Sequence, residues 1–159
     1  MSARKRTDDE LRVMAEEHLN YEIAMLHDTA AALASEAEHD VTIHNALVES
    51  FTIHVRVLID FLWPVKPRAD DVIAGDFFDD SSDWDALRLT FPAVLEPARR
   101  RAGKEVAHLT YARLDVTPDG KPWPYVEMAN AVLSAFHVFA RNASASKIGD
   151  RLAALRNTP

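Results

Sequence analysis

Apolar residues recur at helical spacing along most of the chain. Thr7-Asp-Asp-Glu10 is a capping-box pattern, with Thr7 closing the first turn and Glu10 reaching back. Behind it Leu11, Met14, Ala15, Leu19, Met25, Leu26 and Leu33 return every few residues, which predicts a first helix over 7–36. A second helix is predicted over 42–62, stopping before Pro64. It is apolar nearly all round: Leu47, Phe51, Leu58 and Leu62 on one side, Val48 and Ile59 on another, Ile53 and Val57 on a third. Such a helix is expected to be central. Residues 63–91 read as a long connector with a short helix from Asp70, pinned to the core by Trp63, Phe77, Phe78 and Trp84. A third helix starts near Pro92 or Pro97, since proline suits a first turn, and runs to Arg113. Pro118-Asp119-Gly120 centres a turn. The fourth helix spans 124–142, with Tyr125, Ala129, Val132, Leu133, Phe136 and Ala140 on its buried stripe, and a short fifth spans 146–156.

This pattern specifies an all-α fold: a four-helix bundle with a long helix 2–3 connector and a short C-terminal fifth helix. Residues 1–6 read as a flexible basic tail and 7–159 as a single helical-bundle domain, a size that suits one core. Only four glycines occur, which disfavours a turn-rich β fold. The absence of cysteine excludes disulfides and thiolate metal sites. No apolar run reaches the roughly 18 residues of a membrane span, and Met1–Glu10 lacks a signal-peptide core. The expectation is a cytoplasmic protein with no membrane partner. No glycine-rich phosphate loop or dinucleotide fingerprint is present, so no cofactor is expected.

The net charge of −7 argues against broad nucleic-acid binding, but the charge is uneven. Residues 70–85 carry seven aspartates and no base, whereas 99–113 carry five basic residues and one acid. The aspartate run lacks the spaced ligands and glycine of a calcium loop and reads as solvated surface.

Successive helical residues turn by about 100°. On that basis His18 and Glu22 fall inside the Leu11–Ala15–Leu26–Leu33 stripe, close enough to touch. His54 falls on the Leu47–Phe51–Leu58 face, and Glu49, Arg56 and Asp60 share the opposite side, where Arg56 can pair with Asp60. On the third helix Glu105 falls within the Ala98–Ala102–Val106–Leu109 stripe. Arg101 and His108 sit at its edge almost in register, while Arg99, Arg100 and Lys104 look toward solvent. Burying unpaired charge is costly, so His18, Glu22, His54, Arg56, Asp60 and Glu105 are expected to meet in a buried polar network.

Three functional readings of these residues stay open. One is a metal site: Glu105-Val-Ala-His108 is a Glu-x-x-His pair of the kind ferritin-like bundles use, and His18 and His54 could join it. A second such pair, Glu36 to His39, lies at a helix end. The second reading starts from Arg101 to His108 as Arg-x6-His, which resembles the Arg-x(4–6)-His motif of the HEPN family. Those proteins are small all-α bundles, many in toxin–antitoxin and phage-defence systems. They usually act as dimers whose motif residues face one another across a cleft. The resemblance implies a metal-independent ribonuclease directed at RNA. His108 would be the general acid/base, Arg101 the stabiliser of the phosphorane charge, and Arg99, Arg100, Lys104 and Arg113 the backbone contacts. The chain departs from the family pattern at Ala102, where a polar residue is usual, and in carrying the motif on the third of four helices.

The longer pattern HNALVESFTIHVRVLIDFLW, KEVAHLTYARL and KPWPYVE resembles uncharacterised bacterial helical proteins. It implies a fold and groups Arg56, Asp60 and His108. The third reading is a non-enzymatic interaction or scaffold bundle, either a homodimer or a partner-binding protein. His27, His39 and His44 near helix ends read as solvated, and Trp123 between two prolines as a staple of its loop to the core.

Overall fold

Thr7 closes the first turn as its sequence predicts. Its Oγ1 accepts from the Glu10 N–H at 3.2 Å, and its own N–H donates to Glu10 Oε2 at 2.9 Å. The computed structural model describes residues 6–35, 37–117 and 122–157. Helix α1 (Asp8–Val13) passes through a π-helical stretch at Met14–Leu19 and continues as α2 (Asn20–Ala34). The i→i+5 bonds of that stretch wind an extra residue into the turn. Leu11, Ala15 and Leu19 therefore stay on the buried face, and His18 turns out to solvent. The expectation that His18 faces the interior rested on uninterrupted α-helical winding and is corrected here.

Helix α3 (Val41–Leu62) begins at Asp40, whose carboxylate accepts from the N–H groups of Thr42 and Ile43 at 2.8 and 3.0 Å. Phe51, Val55, Leu58, Ile59 and Leu62 are sealed, but Ile53 and Val57 remain 54% and 40% exposed. The helix is thus packed on two sides and open on the third, not central. The connector holds a 3₁₀ turn at Ala74–Phe77 and helix α4 (Ser82–Leu87), so its first helical turn begins at Ala74 and not Asp70. Its four aromatic pins are buried as expected. Trp84 Nε1 donates to the Leu62 carbonyl and Trp63 Nε1 to the Leu89 carbonyl, both at 2.8 Å. All seven aspartates of 70–85 are exposed, and Asp71, Asp76 and Asp80 hold nearby backbone N–H groups.

The third helix is much shorter than its pattern implies. Helix α5 (Glu96–Arg101) follows a 3₁₀ turn at Ala93–Leu95, then a π-helical stretch, Ala102–Ala107, ends it. A further 3₁₀ turn covers Tyr111–Asp115. The turn predicted at Pro118-Asp119-Gly120 lies outside the described residues, as does Glu36. Helix α6 (Tyr125–Asn142) and helix α7 (Ala145–Ala154) with a 3₁₀ extension at Leu155–Asn157 complete the order. Among the described residues every regular element is helical, and no helix is long and apolar enough to cross a membrane.

Helix α2 packs on α3 and α6, α3 packs on α6 and α5, and α1 with its π stretch packs on α7. Among the described residues the buried apolar side chains, apart from Ala102, form one cluster. At its centre the Phe139 ring meets Phe61, Phe77, Phe78, Trp84 and Phe136 at centroid distances of 5.1 to 6.2 Å.

Helix α7 ties the N-terminal helices to the connector. Lys147, buried, donates to the carbonyls of Phe78 at 2.5 Å and Asp76 at 3.3 Å, while Ser146 donates to Asp8 at 2.6 Å. The helix is interrupted at Gly149, whose φ of 66° and ψ of 174° suit only glycine. A Cβ there would lie 2.4 Å from the Glu16 side chain, whose Oε1 accepts from the Asp150 N–H. Gly149→Ala is therefore expected to cost about 1–3 kcal/mol, measured by urea unfolding. An unchanged midpoint would show that the strained backbone relaxes freely.

Candidate functional site

The basic stretch divides according to what each side chain finds nearby. Arg99 turns inward, which corrects its expected role as a solvent-facing RNA contact. Its guanidinium lies 4.0 Å from the Phe91 ring centroid and donates through Nη2 to the Trp63 carbonyl at 3.0 Å, whereas its buried Nε has no hydrogen-bond partner among the described residues. The carbonyl of Arg99 accepts from Arg56 Nη1 at 2.6 Å. This pair of arginines satisfies backbone oxygens where α3 ends and α5 approaches it.

Arg101 is half-buried, and its guanidinium stacks 4.1 Å above the Trp123 ring, with Nη1 3.5 Å from the Pro122 carbonyl. Trp123 is buried as a staple, and its face also positions Arg101. Beside them, burial pushes the Tyr125 phenol above its ordinary ionisation range, partly opposed by the Arg101 charge. Arg101, Arg113, Glu49 and Trp123 line a shallow recess of about 290 Å³.

His108 lies beyond the helix. Its N–H still donates to the Gly103 carbonyl at 3.1 Å, but its φ of −123° and ψ of 144° are extended and its side chain is exposed. The near-register of Arg101 and His108 assumed α-helical winding throughout, whereas a π-helical stretch separates them and His108 itself is extended. His108 does not line the recess that holds Arg101. The segment after it is tied back by Thr110 Oγ1, which donates to the Lys104 carbonyl at 2.7 Å, and by Arg113 Nη2, which donates to the Val106 carbonyl at 3.1 Å. Arg100, Lys104 and Arg113 are exposed. Leu109, expected to face the core, is 91% exposed, with Tyr111 at 90% and Leu114 at 82%. Helix α5 and its π stretch end before Leu109 could be carried round to the buried stripe.

The polar groups of the other helices assemble only in part. His54 Nδ1 lies 2.7 Å from Glu22 Oε2, with side-chain exposures of 8% and 20%. A carboxylate only accepts, so in this pairing Nδ1 carries the proton. The Tyr21 ring closes over His54 edge-on at 5.5 Å. Arg56 Nε donates to Asp60 Oδ2 at 2.6 Å, the i,i+4 pairing expected for these residues, although Asp60 is exposed and Arg56 half-buried. The expected six-residue buried network is thus a part-buried His54–Glu22 pair and a separate Arg56–Asp60 pair, with His18 at the surface. The Glu105 side chain is outside the described residues.

Glu22→Ala would leave the buried His54 Nδ1–H without its acceptor. The expected cost is about 1–3 kcal/mol in urea unfolding, with Glu22→Gln, whose carbonyl still accepts, costing less. Equal stability of wild type and Glu22→Ala would show that water replaces the carboxylate.

Among the described residues no three His, Asp or Glu side chains converge in a way that could hold a metal ion. His18, His54 and His108 form no such group, which removes the His-rich set. His108 is also absent from the cleft that Arg56 and Asp60 share.

That cleft was not legible beforehand. It lies between the Met14–Leu19 stretch, the C-terminal half of α3 and the loop after Trp63, and has a volume of about 770 Å³. His18, Glu22, Arg56, Asp60 and Arg99 reach it, and so do Lys66 and Arg68 from the loop. Only the prolines of Trp63-Pro-Val-Lys-Pro-Arg68 hinted at a fixed loop. Comparison with protein-family models, curated proteins and solved structures found no match, so function rests on the geometry of the residues themselves.

Proposed function

We propose that this chain is a HEPN-like, RNA-directed protein acting as a homodimer, and that it is a metal-independent ribonuclease of the toxin–antitoxin or defence type. One observation carries this reading: Leu109, Tyr111 and Leu114 are 91%, 90% and 82% exposed on a segment that begins with the exposed His108. Large apolar side chains grouped this way gain stability only when something covers them. A second copy would do so, and it would also bring a second His108 to that face. Arg100, Lys104 and Arg113 at its margin supply positive charge for phosphates in an otherwise acidic chain.

In this reading His108 removes the proton of a ribose 2′-hydroxyl. The O2′–P bond forms, the P–O5′ bond breaks, and the His108 of the second copy protonates the leaving O5′. Arg101, held on Trp123, meets the charge that builds on the phosphoryl oxygens. The products would be a 2′,3′-cyclic phosphate and a 5′-hydroxyl. We also read the helices as a four-helix bundle in which α5 and its π stretch form the short third member, and we place the protein in the cytoplasm.

Taken without His108 and the bases beside it, the exposed apolar trio favours a second reading, a partner-binding bundle without chemistry. Incubating RNA with wild type and His108→Ala, with and without chelator, separates the two. Chelator-resistant cleavage that His108→Ala abolishes supports the nuclease. A wild type that cleaves nothing, yet dimerises in light scattering until Leu109 and Tyr111 are both changed to serine, supports the interaction module.

A further inference from the structure

We infer that the cleft beside α3 is a binding site for a small phosphate monoester with an apolar body, separate from the His108 segment. Its volume of about 770 Å³ lies within the range of small-molecule sites. One wall is apolar, formed by Met14, Leu19, Val57, Phe61 and Val72. The lining also holds four cations, Arg56, Lys66, Arg68 and Arg99, against three carboxylates, Glu22, Asp60 and Asp71.

The state of those carboxylates decides what the cleft prefers. Glu22 accepts from His54, Asp60 from Arg56, and Asp71 from the backbone N–H of Arg68 at 2.7 Å. Lys66 and the Arg68 guanidinium have no ion-pair partner among the described residues. Lys66 and Arg68, two positions apart and without ion-pair partners among the described residues, can each contact an anion, and the cleft's four cations outnumber its three carboxylates by one. A phosphate monoester carries about −1.5 to −2 at neutral pH, twice a carboxylate, and its oxygens match a guanidinium fork. Pro64 and Pro67 flank Lys66 and limit the loop's freedom, so less ordering remains to be done on binding.

The carbonyl end of α3 would ordinarily repel an anion. Here Trp84 Nε1 occupies the Leu62 carbonyl and Arg99 the Trp63 carbonyl, which offsets that negative end.

The test uses the full chain and phenyl phosphate as probe, followed by calorimetry and by backbone amide shifts. Saturable binding is expected, with shifts at Val57, Phe61 and Val72. Benzoate, with one charge and the same ring, should bind about tenfold more weakly. Lys66→Ala/Arg68→Ala changes two exposed side chains and should weaken phenyl phosphate binding by about tenfold or more while leaving the unfolding midpoint in place. Arg151→Ala, which removes an exposed cation on α7 away from the cleft, should leave binding unchanged. The proposal is overturned if phenyl phosphate fails to saturate, if benzoate binds equally well, or if Arg151→Ala weakens binding as much as the double variant. Cleavage of RNA by the same variants is read separately, so failure here leaves the nuclease reading untouched and the reverse also holds.

Discussion

Phe139→Ala is expected to lower the unfolding free energy by about 3–5 kcal/mol, the range for emptying a packed aromatic site. The ring is fully buried and meets Phe61 from α3, Phe77, Phe78 and Trp84 from the connector, and Phe136 from its own helix. Its removal strips packing from three parts of the chain at once, and rigid rings cannot collapse into the space as flexible side chains can. Native domains are stable by only about 5–15 kcal/mol, so this one change removes a large share. Urea unfolding followed by circular dichroism measures it. A loss under about 1 kcal/mol would mean that the connector shifts to fill the cavity and that the aromatic cluster is not the keystone of the fold.

His108→Ala carries the largest expected effect on function. If the chain cleaves RNA as proposed, loss of the general acid/base should slow cleavage by about 10²- to 10⁴-fold. The side chain is exposed, so the unfolding free energy should change by no more than about 0.5 kcal/mol, and lost activity could not be ascribed to lost folding. Product ends give a second readout, since attack by the 2′-hydroxyl leaves a cyclic phosphate. Arg101 makes a less clean probe. Arg101→Ala also removes its stacking on Trp123, at about 0.5–1 kcal/mol, so Arg101→Lys, which keeps the charge but not the planar fork, belongs beside it. Equal cleavage by wild type and His108→Ala would end the nuclease reading.

How well the site could be foreseen followed the range over which each interaction acts. Arg56 and Asp60 are four apart on one helix, and their pairing needed nothing beyond helical geometry. The His54–Glu22 bond joins residues 32 apart, and from the helix faces alone Glu22 could as well have met His18 or Arg56. Arg99 and Arg100 are neighbours with the same side chain, yet one is drawn inward by the Trp63 carbonyl and the Phe91 ring while the other stays in water. Nothing local distinguishes them.

By itself the sequence determined the helical class, the cap at Thr7, the aromatic pins of the connector and the solvated run of aspartates. Each depends on a few adjacent residues and on whether they are apolar, so short-range propensity and periodicity suffice. Tertiary packing alone decided where the winding changes to π, and with it the outward turn of His18 and the early end that leaves Leu109 in solvent. A one-residue change in winding has little local signature, but it rotates every later side chain to a new face. Packing likewise decided the cleft, because its walls come from the first helical segment, α3 and the loop after Trp63, and a cavity exists only once separate elements fail to fill the space between them.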